Sequence, residues 1–492
     1  PMVESGTEII IGALRDPVFG PVVMFGAGGT NVEEQGDVTF RLAPLDEKDA
    51  RQMIAEVGVP IMTASDAAVA DAVIDALADI LLAVGGLDGL VLAEGLIELD
   101  INPLIITGES VIAVDAHAVT SADGPWDLAA LGVIDASKRN GLQNEIYEAL
   151  RSLFYPERIV VVGASAKPGK LGFRIIQNLV DFDFAGKLYA VHPSAENIYG
   201  CPAFPTVADL PETVDRAIIA IGAEKVPGAL SECAAKGVRV AQVLTAGFAE
   251  WSDDGKALDN AIKEIANRTG MRIVGPNTIG AYCGAGRITM STPRHAPQTP
   301  GGISFFSQSG TYAWDMIHRS QVQGLPLGKS LSCGNCSDVI PTDYLLFSAE
   351  DPDTGIIAMY LESDADAGRF FRLARDVEKP LILFKGGRSS AGVRAATSHT
   401  GALASDQALW TSAARQAGAA VVDSMDDLLD VLLAVEAFGA IPGRRLALFG
   451  SGGGVSVVSA DVAEANDMEF PPFTDETKER LKKFGVPGTS VD

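Results

Sequence analysis

The sequence predicts a multidomain α/β protein. Its 492 residues exceed the roughly 100 to 200 residues of an ordinary domain. From Arg158 onward, short runs of β-branched residues alternate with glycine-rich turns and helical stretches, a pattern typical of parallel sheets covered by helices. Hydrophobic residues make up 47% and charged residues 21% of the chain, which is enough apolar material for several cores.

The first part of the chain has a different pattern. Apolar runs separated by turn residues predict strands, and one longer stretch has helical spacing, so residues 1 to about 120 read as α+β. Residues 121 to about 145 carry glycine, proline and polar residues around one amphipathic helix and read as a linker. The predicted elements are the strands Glu8–Gly12, Pro21–Phe25, Leu96–Ile106 and Val111–Asp115 and the helix Asp66–Leu82.

The rest of the chain contains three series of predicted parallel strands. The first residue is Pro1, and the third series is unfinished where the sequence stops. Both ends of the sequence therefore look cut. The first series is Ile159–Val162, Leu188–Val191, Ala217–Ile221, Val238–Leu244 and Arg272–Val274; the second is Gly302–Phe306, Ile356–Leu361 and Pro380–Phe384; the third opens at Arg445–Phe449.

Charge and cysteine content exclude several function classes. The formal net charge of −26 disfavours a nucleic-acid or anionic membrane partner, because both need clustered Lys and Arg. Five cysteines without a pattern argue against a disulfide framework and favour a reducing cytoplasm. No stretch approaches the ~20 apolar residues of a membrane span.

Three strands run directly into small-residue turns that open helices: Val162–Ser165, Phe306–Gly310 and Phe449–Gly454. Unpaired N–H groups at the positive end of a helix suit a phosphate or pyrophosphate, although glycine at such a turn can also serve only to pack helix on sheet. An NAD site is disfavoured at the first turn, because the end of the next strand holds His192 rather than the carboxylate that binds ribose. Nearby Lys167 and Lys170 suit a more phosphorylated nucleotide such as CoA.

His399 differs from the other four histidines by its setting. It lies in a run of small residues from Gly386 to Ala404, and such a loop can move. A neutral imidazole is a competent phosphoryl acceptor, especially beside a carboxylate that orients the ring. Glu362, at the end of an apolar strand, is the candidate carboxylate; the alternative is a solvated surface group.

Two further clusters are ambiguous. Glu98, Asn102 and Asp115 offer hard oxygen ligands for Mg²⁺ on adjacent predicted strands, or they are ordinary surface turn chemistry. Cys333 and Cys336 form a lone CxxC without a second pair or a nearby histidine, which makes zinc improbable and reads as incidental.

Together these residues resemble the ADP-forming acyl-CoA synthetases, relatives of succinyl-CoA synthetase. The resemblance covers nearly the whole chain and is highly specific. The matching motifs, in order, are Asp16–Pro21, Gly28-Gly29, Glu98–Pro103, Gly163–Ser165, Gly275–Asn277, Ser307–Gly310, Gly334-Asn335 with Asp338, and Ser398–Gly401.

The resemblance implies a domain order and three kinds of site. It implies the C-terminal part of an ATP-grasp domain (1–120), a linker (121–145), a Rossmann-like CoA-binding domain (146–298), a flavodoxin-like succinyl-CoA-ligase domain with a phosphohistidine loop (299–440) and a truncated second one (441–492). It implies His399 and Glu362 as catalytic residues and Asn102, Asp115 and Glu98 as Mg²⁺ ligands. The implied phosphate-binding residues are Ser307, Gln308, Ser309, Gly310, Gly450, Ser451, Gly452, Gly453 and Gly454, and the implied CoA-binding residues are Gly163, Ala164, Ser165, Lys167, Lys170, Pro193 and Asn277.

The implied activity is that of an acid–thiol ligase. Carboxylic acid, ATP and CoA would give acyl-CoA, ADP and phosphate through an acyl phosphate and a phosphohistidine, with acetate, another short-chain acid or a hydroxycinnamate such as ferulate as substrate. Two features depart from the family: the N-terminal half of the ATP-grasp domain is absent before Pro1, and the second ligase domain is incomplete after Asp492. In addition, Thr278 stands where cysteine is usual. A homo-oligomer, or a complex with the missing segments, is therefore expected. The rival reading is a non-catalytic acyl-CoA-binding scaffold, as in protein acetyltransferase fusions, in which the histidine is typically replaced.

Overall fold

The computed structural model divides into two compact units, Pro1–Leu432 and Leu433–Asp492. Within the part of the chain that the structure describes, no helix is long and apolar enough to cross a membrane. The described residues are 6–28, 38–58, 67–108, 110–121, 124–133, 136–289, 296, 300–363, 365–389, 407–439, 443–448 and 453–483.

The N-terminal part of the first unit is an antiparallel sheet of six described strands, in the order β3-β2-β1-β4-β5 with β6 also paired to β4. Alternate apolar residues of β1 and β2 point into a core with helix α2, as period-two patterning requires. The strands are β1 (Thr7–Asp16), β2 (Gly20–Ala27), β3 (Val38–Leu42), β4 (Leu96–Thr107), β5 (Ser110–Ala113) and β6 (Ala116–Thr120), and the helices are α1 (Glu47–Val57), α2 (Ala67–Gly85) and α3 (Leu90–Ala93).

The next sheet has seven described strands in the order β13-β12-β11-β7-β8-β10-β9, parallel except for the β9–β10 pair. Its central strands are buried on both faces, which explains their continuous runs of β-branched residues. The strands are β7 (Arg158–Val162), β8 (Lys187–Val191), β9 (Asn197–Ile198), β10 (Cys201–Phe204), β11 (Arg216–Ile219), β12 (Val240–Val243) and β13 (Arg272–Val274), and the helices are α5 (Leu171–Asp181), α6 (Val226–Ala235) and α7 (Asp253–Thr269).

The third sheet, with six described strands, has the order β14-β16-β15-β17-β18-β19 and is parallel except for the β14–β16 pair. The strands are β14 (Ala281–Cys283), β15 (Ile303–Ser307), β16 (Leu327–Ser332), β17 (Ile356–Leu361), β18 (Leu381–Lys385) and β19 (Ala420–Val422), and the helices are α8 (Gly310–Gln323), α9 (Pro341–Glu350), α10 (Ala367–Ala374), α11 (Gln407–Gln416) and α12 (Met425–Phe438).

The connection between the first two sheets contains a long helix, α4 (Ala136–Phe154), which crosses the boundary at 145/146 predicted between linker and CoA-binding domain. Phe154 stacks on Phe347 of α9 at 5.4 Å and meets Phe306 of β15 edge-on at 6.2 Å. The C-terminal end of the helix is thus part of the core of the third sheet. The predicted boundary therefore falls inside a continuous helix.

The N-terminal sheet packs on the third sheet through a buried arginine. Arg372 of α10 is 5% exposed, and its guanidinium donates to the carbonyls of Ala43, Phe19 and Pro21 at 2.7, 2.9 and 3.1 Å. Burial lowers the pKa of Arg372 to about 10, and the three carbonyl acceptors offset the desolvation of its charge. The two sheets are thereby joined by contacts as well as by the chain.

The described part of the second unit contains the helices α13 (Gly453–Ala465) and α14 (Asp475–Lys483). The predicted strand Arg445–Phe449 is not formed over the described residues 443–448, where only Arg445 is bridged, to Glu469. A strand needs a partner along its length to satisfy its N–H and C=O groups, and here a single bridge is present. Phe449 lies outside the described residues.

Candidate functional site

The turn Ser307–Gly310 connects β15 to α8 as predicted. Ser309 is the N-cap residue of α8, and its hydroxyl accepts a hydrogen bond from the N–H of Tyr312 at 3.5 Å. The Ser307 hydroxyl accepts one from the N–H of Ser309 at 3.1 Å. Within the described part of the chain, the N–H groups of Gly310 and Thr311 have no hydrogen-bond acceptor, so the start of α8 can receive an anion.

Gln308 connects this turn to Glu362. Its side-chain oxygen accepts hydrogen bonds from the backbone N–H groups of Glu362 and Ser363, at 2.6 and 3.0 Å. Its amide nitrogen donates to the sulfur of Cys336 at 3.7 Å, and its own N–H donates to the carbonyl of Tyr360 at 3.1 Å. Gln308 is 9% exposed, so its orientation is fixed by partners on β17 and on the loop after β16.

Glu362 follows β17 directly and is half-buried. The Tyr360 hydroxyl hydrogen-bonds to the Glu362 carboxylate. Its pKa is raised mainly by burial and, second, by the negative charge of that carboxylate. Lys385 donates to the carbonyls of Glu362 and Gly386 at 3.1 and 2.7 Å. The Glu362 backbone is therefore fixed by Gln308 and Lys385, and its carboxylate by Tyr360, so Glu362 is not a freely solvated surface group.

The loops after β13 and β16 are tied together beside the turn. The Asn277 side chain donates to the side-chain oxygen of Asn335 at 3.3 Å, and Asn335 donates to the carboxylate of Glu250 at 2.5 Å. Burial alone would raise the pKa of Glu250, but hydrogen bonds from the Gly247 N–H and from Asn335 lower it. Nothing in the sequence pattern pointed to Glu250.

The turn at Gly163 is built for close approach. Gly163 has φ +90°, and a Cβ there would lie 2.4 Å from the carbonyl oxygen of Ala220, so only glycine fits. The Ser165 hydroxyl accepts a hydrogen bond from the N–H of Lys167 at 3.2 Å, while the side chains of Lys167 and Lys170 are exposed beside the start of α5. Ala164 is buried.

The loop after β8 contains Pro193. The ring of His192 caps this loop, because its Nδ1 accepts hydrogen bonds from the N–H groups of Ser194 and Ala195 at 3.2 and 2.9 Å. A turn-capping histidine thus stands where a dinucleotide site would need a ribose-binding carboxylate.

A cavity of about 380 Å³ extends from the second sheet to α8. Trp314 lines it and is 46% exposed. Thr278 also lines it and is anchored by donating to the carbonyl of Ser332. Tyr312, two residues before Trp314, instead packs against Tyr360 and Phe384, at 4.6 and 5.3 Å between ring centroids. The remaining lining residues are Leu171, Arg174, Ile175, Asn178, Leu244, Ile279, Gly280, Ala281, Ala313, Ile317 and Ser330.

The structure brings together two of the three predicted metal ligands. The N–H of Asn102 donates to the carbonyl of Asp115 at 3.3 Å, and both side chains are exposed. Glu98 lies four residues and about 13 Å along β4 from Asn102, too far to share an ion with it. Asp100 lies between them and was missed because the strand-end pattern did not distinguish it from Glu98. Among the described residues, no group of three or more His, Cys, Asp or Glu side chains forms a metal site.

Several predicted residues lie outside the described ones: His399, Gly450, Ser451 and Gly452, together with Gly29 of the N-terminal motif. Gly453 and Gly454 begin α13 of the second unit, where Gly454 is exposed. Their predicted part in phosphate binding stays a prediction.

Comparison with known proteins identifies three matching family models. An ATP-grasp domain matches residues 1–119, a CoA binding domain matches 157–283, and a succinyl-CoA ligase like flavodoxin domain matches 300–435. The acetate–CoA ligase (ADP-forming) II of Archaeoglobus fulgidus is 32% identical over 486 residues, which cover 98% of this chain and 69% of that protein.

Two further similarities concern a subunit and a solved structure. The beta subunit of the acetate–CoA ligase (ADP-forming) I of Pyrococcus furiosus is 46% identical over 118 residues, which are 24% of this chain and 50% of that subunit. The dinucleotide-forming acetyl-coenzyme A synthetase 1 of Ca. Korarchaeum cryptofilum, in complex with phosphate and ADP, superimposes with a TM-score of 0.65 at 34% identity, covering 70% of this chain and 74% of that one.

Proposed function

The chain belongs to the family of ADP-forming acyl-CoA synthetases, and from that premise we propose that it converts a carboxylic acid, ATP and CoA into an acyl-CoA, ADP and phosphate. The single observation that carries the proposal is the Gln308 side chain, which joins the anion-receiving start of α8 to the backbone N–H groups of Glu362 and Ser363. A phosphoryl group and a residue that accepts it would meet between these two features.

The described residues support two parts of the chemistry. The N–H groups of Gly310 and Thr311 would hold the oxygens of a phosphoryl group at the positive end of α8. Glu362, positioned by Gln308 and Tyr360, would orient the imidazole of His399 and offset the positive charge that develops when the ring is phosphorylated. Dividing one transfer into two steps in this way is what covalent catalysis achieves.

CoA would bind across the second sheet and the 380 Å³ cavity. Its phosphates would lie at the Gly163 turn, beside Lys167, Lys170 and the loop that contains Pro193. Its long arm would run through the cavity toward the start of α8, because Ile279 lines the cavity and its side chain lies 3.0 Å from where a Cβ of Gly310 would be. Asn277 would line the same route.

The oxygen ligands in the middle of β4, where its partner changes from β6 to β5, fit Mg²⁺. Carboxylate and amide oxygens are the ligands that this ion prefers, and it usually keeps several waters, so exposed Asn102 and Asp115 with nearby Asp100 are a sufficient protein contribution. A bound Mg²⁺ would neutralise nucleotide phosphate charge. The role of these residues would be to position that ion at the edge of the N-terminal sheet.

The experiment uses the full-length protein and γ-labelled ATP. We expect an acid-labile phosphohistidine in the native protein, none in His399→Ala, and an at least hundredfold lower rate of labelling in Glu362→Gln. Asp366→Asn is the matched control, because Asp366 also follows β17, four residues after Glu362, and accepts a hydrogen bond from Thr342. A native protein without phosphohistidine and without CoA-dependent ADP release would contradict the proposal and favour an acyl-CoA-binding scaffold.

The acid is proposed to be acetate, another short-chain acid or a hydroxycinnamate such as ferulate.

Trp314→Ala is expected to raise the KM for CoA about tenfold, because removing half-buried aromatic surface costs about 1.4 kcal/mol. The 80% exposed Trp251 provides the matched control, Trp251→Ala. An unchanged KM for CoA in Trp314→Ala would exclude the cavity as the CoA route.

The acid itself is identified by a substrate panel from acetate to hydroxycinnamates, measured by ADP release.

A complex is also proposed. The matched Pyrococcus relative is itself one subunit of an enzyme, which supports an assembly of this chain with a second copy or with a subunit that carries further ATP-grasp and ligase segments. Light scattering of the full-length protein, alone and with such a subunit, measures the mass. A monomer under all of these conditions would contradict the assembly.

A further inference from the structure

The Cys333-Gly-Asn-Cys336 segment lies against the phosphate turn rather than at a distance from it. The N–H of Cys333 donates to the carbonyl of Ser307 at 2.7 Å. The thiol of Cys336 accepts the hydrogen bond from Gln308. The two cysteines therefore contact the turn through both its backbone and its side chain.

The two thiols are placed to react with each other. The Cys336 sulfur lies 3.9 Å from the carbonyl oxygen of Cys333, and the two thiols are close enough that Cys336 contributes to the raised pKa of Cys333. Two left-handed residues, Gly334 at φ +64° and Cys336 at φ +55°, curl the segment back on itself. For Cys336 this conformation is one that residues other than glycine rarely adopt.

Only one of the two thiols is open to a reagent. Cys333 is 2% exposed, and burial together with its neighbour raises its pKa well above the ordinary value. Cys336 is half-buried and lines a cavity of about 100 Å³ together with Gln308, Asn335 and Trp410. A small reagent that enters this cavity meets Cys336 first.

We propose that Cys336 is a thiol modification site, at which a low-molecular-weight disulfide oxidises the Cys333–Cys336 pair to an intramolecular disulfide and so releases Gln308 from Glu362. The Cys336 thiolate attacks the reagent, its S–S bond breaks and one thiolate leaves. The Cys333 sulfur then attacks the Cys336 sulfur and expels the second thiolate. Two electrons pass from the protein to the reagent, and the two thiol protons end on the two released thiols.

The link to Glu362 follows from geometry. To bond covalently, the two sulfurs must approach to about 2 Å, and this turns Cys336 away from the Gln308 amide. Gln308 then loses the partner that orients its oxygen toward the N–H groups of Glu362 and Ser363. The effect on catalysis rests on the proposed function, whereas the disulfide and the loosening of Glu362 do not.

The test treats the full-length protein with glutathione disulfide and reduced glutathione at graded ratios. Intact mass and peptide mapping report the modification, and amide hydrogen exchange of segment 356–363 reports the hydrogen bonds to Gln308. We expect the native protein to lose about 2 Da as the disulfide forms, with exchange at Glu362 and Ser363 about tenfold faster, the change that corresponds to one lost hydrogen bond.

Two variants and a control sharpen the result. Cys336→Ser is expected to show neither change, and Cys333→Ser to stop at a glutathione adduct on Cys336. Cys201→Ser, which removes a buried thiol elsewhere, should respond as the native protein does. As a second measurement on the unaltered chain, iodoacetamide should label Cys336 before the other four cysteines.

The proposal is overturned if no Cys333–Cys336 disulfide forms at the most oxidising ratio, if another cysteine is modified first, or if the disulfide forms with exchange unchanged. ADP release is followed on the same samples and should fall with disulfide formation and return on reduction. If the reduced native protein releases no ADP, the proposed function fails, while mass and exchange still decide the proposal on Cys336.

Discussion

Replacing Gln308 by alanine is the sharpest test of how the candidate site is held together. The substitution removes the acceptor of two backbone N–H groups, those of Glu362 and Ser363. A buried donor left without a partner costs about 1–3 kcal/mol. Both residues are half-buried, so water replaces part of the loss, and the two together give a decrease of about 2 kcal/mol in the free energy of unfolding.

Chemical denaturation of the full-length protein measures this decrease, and labelling with γ-labelled ATP measures the site. Gln308→Ala is expected to lose phosphohistidine formation by at least tenfold beyond what the lost stability explains, because Glu362 is no longer fixed. The control is Gln323→Ala, at the exposed C-terminal end of α8. This substitution should change neither the stability nor the labelling. Native stability together with native labelling in Gln308→Ala would refute the reasoning.

Three further predictions concern the sheets around the site. Lys329→Met should lower the free energy of unfolding, measured by chemical denaturation, by about 3–5 kcal/mol. The substitution leaves the buried Asp351 carboxylate without the ammonium group that lies 2.7 Å away. Adding Asp351→Leu should recover most of that loss. Hydrogen bonds from Lys187 and Tyr189 lower the pKa of Glu212 to about 2 from 4.5. The contribution of Glu212 to folding stability is therefore present above pH 4.5 and is lost as the pH falls toward 2. Glu212→Gln should flatten the pH dependence of the melting temperature across that window, and an unchanged pH profile would contradict this. Gly163→Ala should weaken CoA binding, measured by calorimetry, at least tenfold, because its Cβ would strike the carbonyl of Ala220, directly after β11. Native affinity would exclude the turn from the CoA site.

Several parallel strands could be predicted from the sequence almost to the residue, whereas the parallel-paired strands β10, β16 and β19 were not predicted. Residues 159–162, 188–191 and 356–361 are strands, because strands buried on both faces are continuous apolar runs between turns. The extent of α4 was not predictable, since its amphipathic pattern does not say which sheet its apolar face meets. The strand predicted at Arg445–Phe449 was wrong over the described residues because propensity cannot supply a neighbouring strand.

The candidate site could be predicted only in part. A glycine-rich turn after a strand marks the start of α8 and the Gly163 turn by local chemistry alone. The bond from Gln308 to Glu362 joins residues 54 positions apart, and only the order of strands in the sheet reveals it. The same holds for Cys336. Its CxxC motif looked incidental, because the spacing gave no sign that the Ser307–Gly310 turn lay beside it.

The three carbonyl bonds of Arg372 bear on how such a polypeptide can be divided between genes. They fasten the N-terminal sheet to α10 through Phe19, Pro21 and Ala43, so the peptide linkage is not the only restraint that keeps the two parts in register. Splitting such a gene after β6, or fusing two genes there, would leave these three bonds in place.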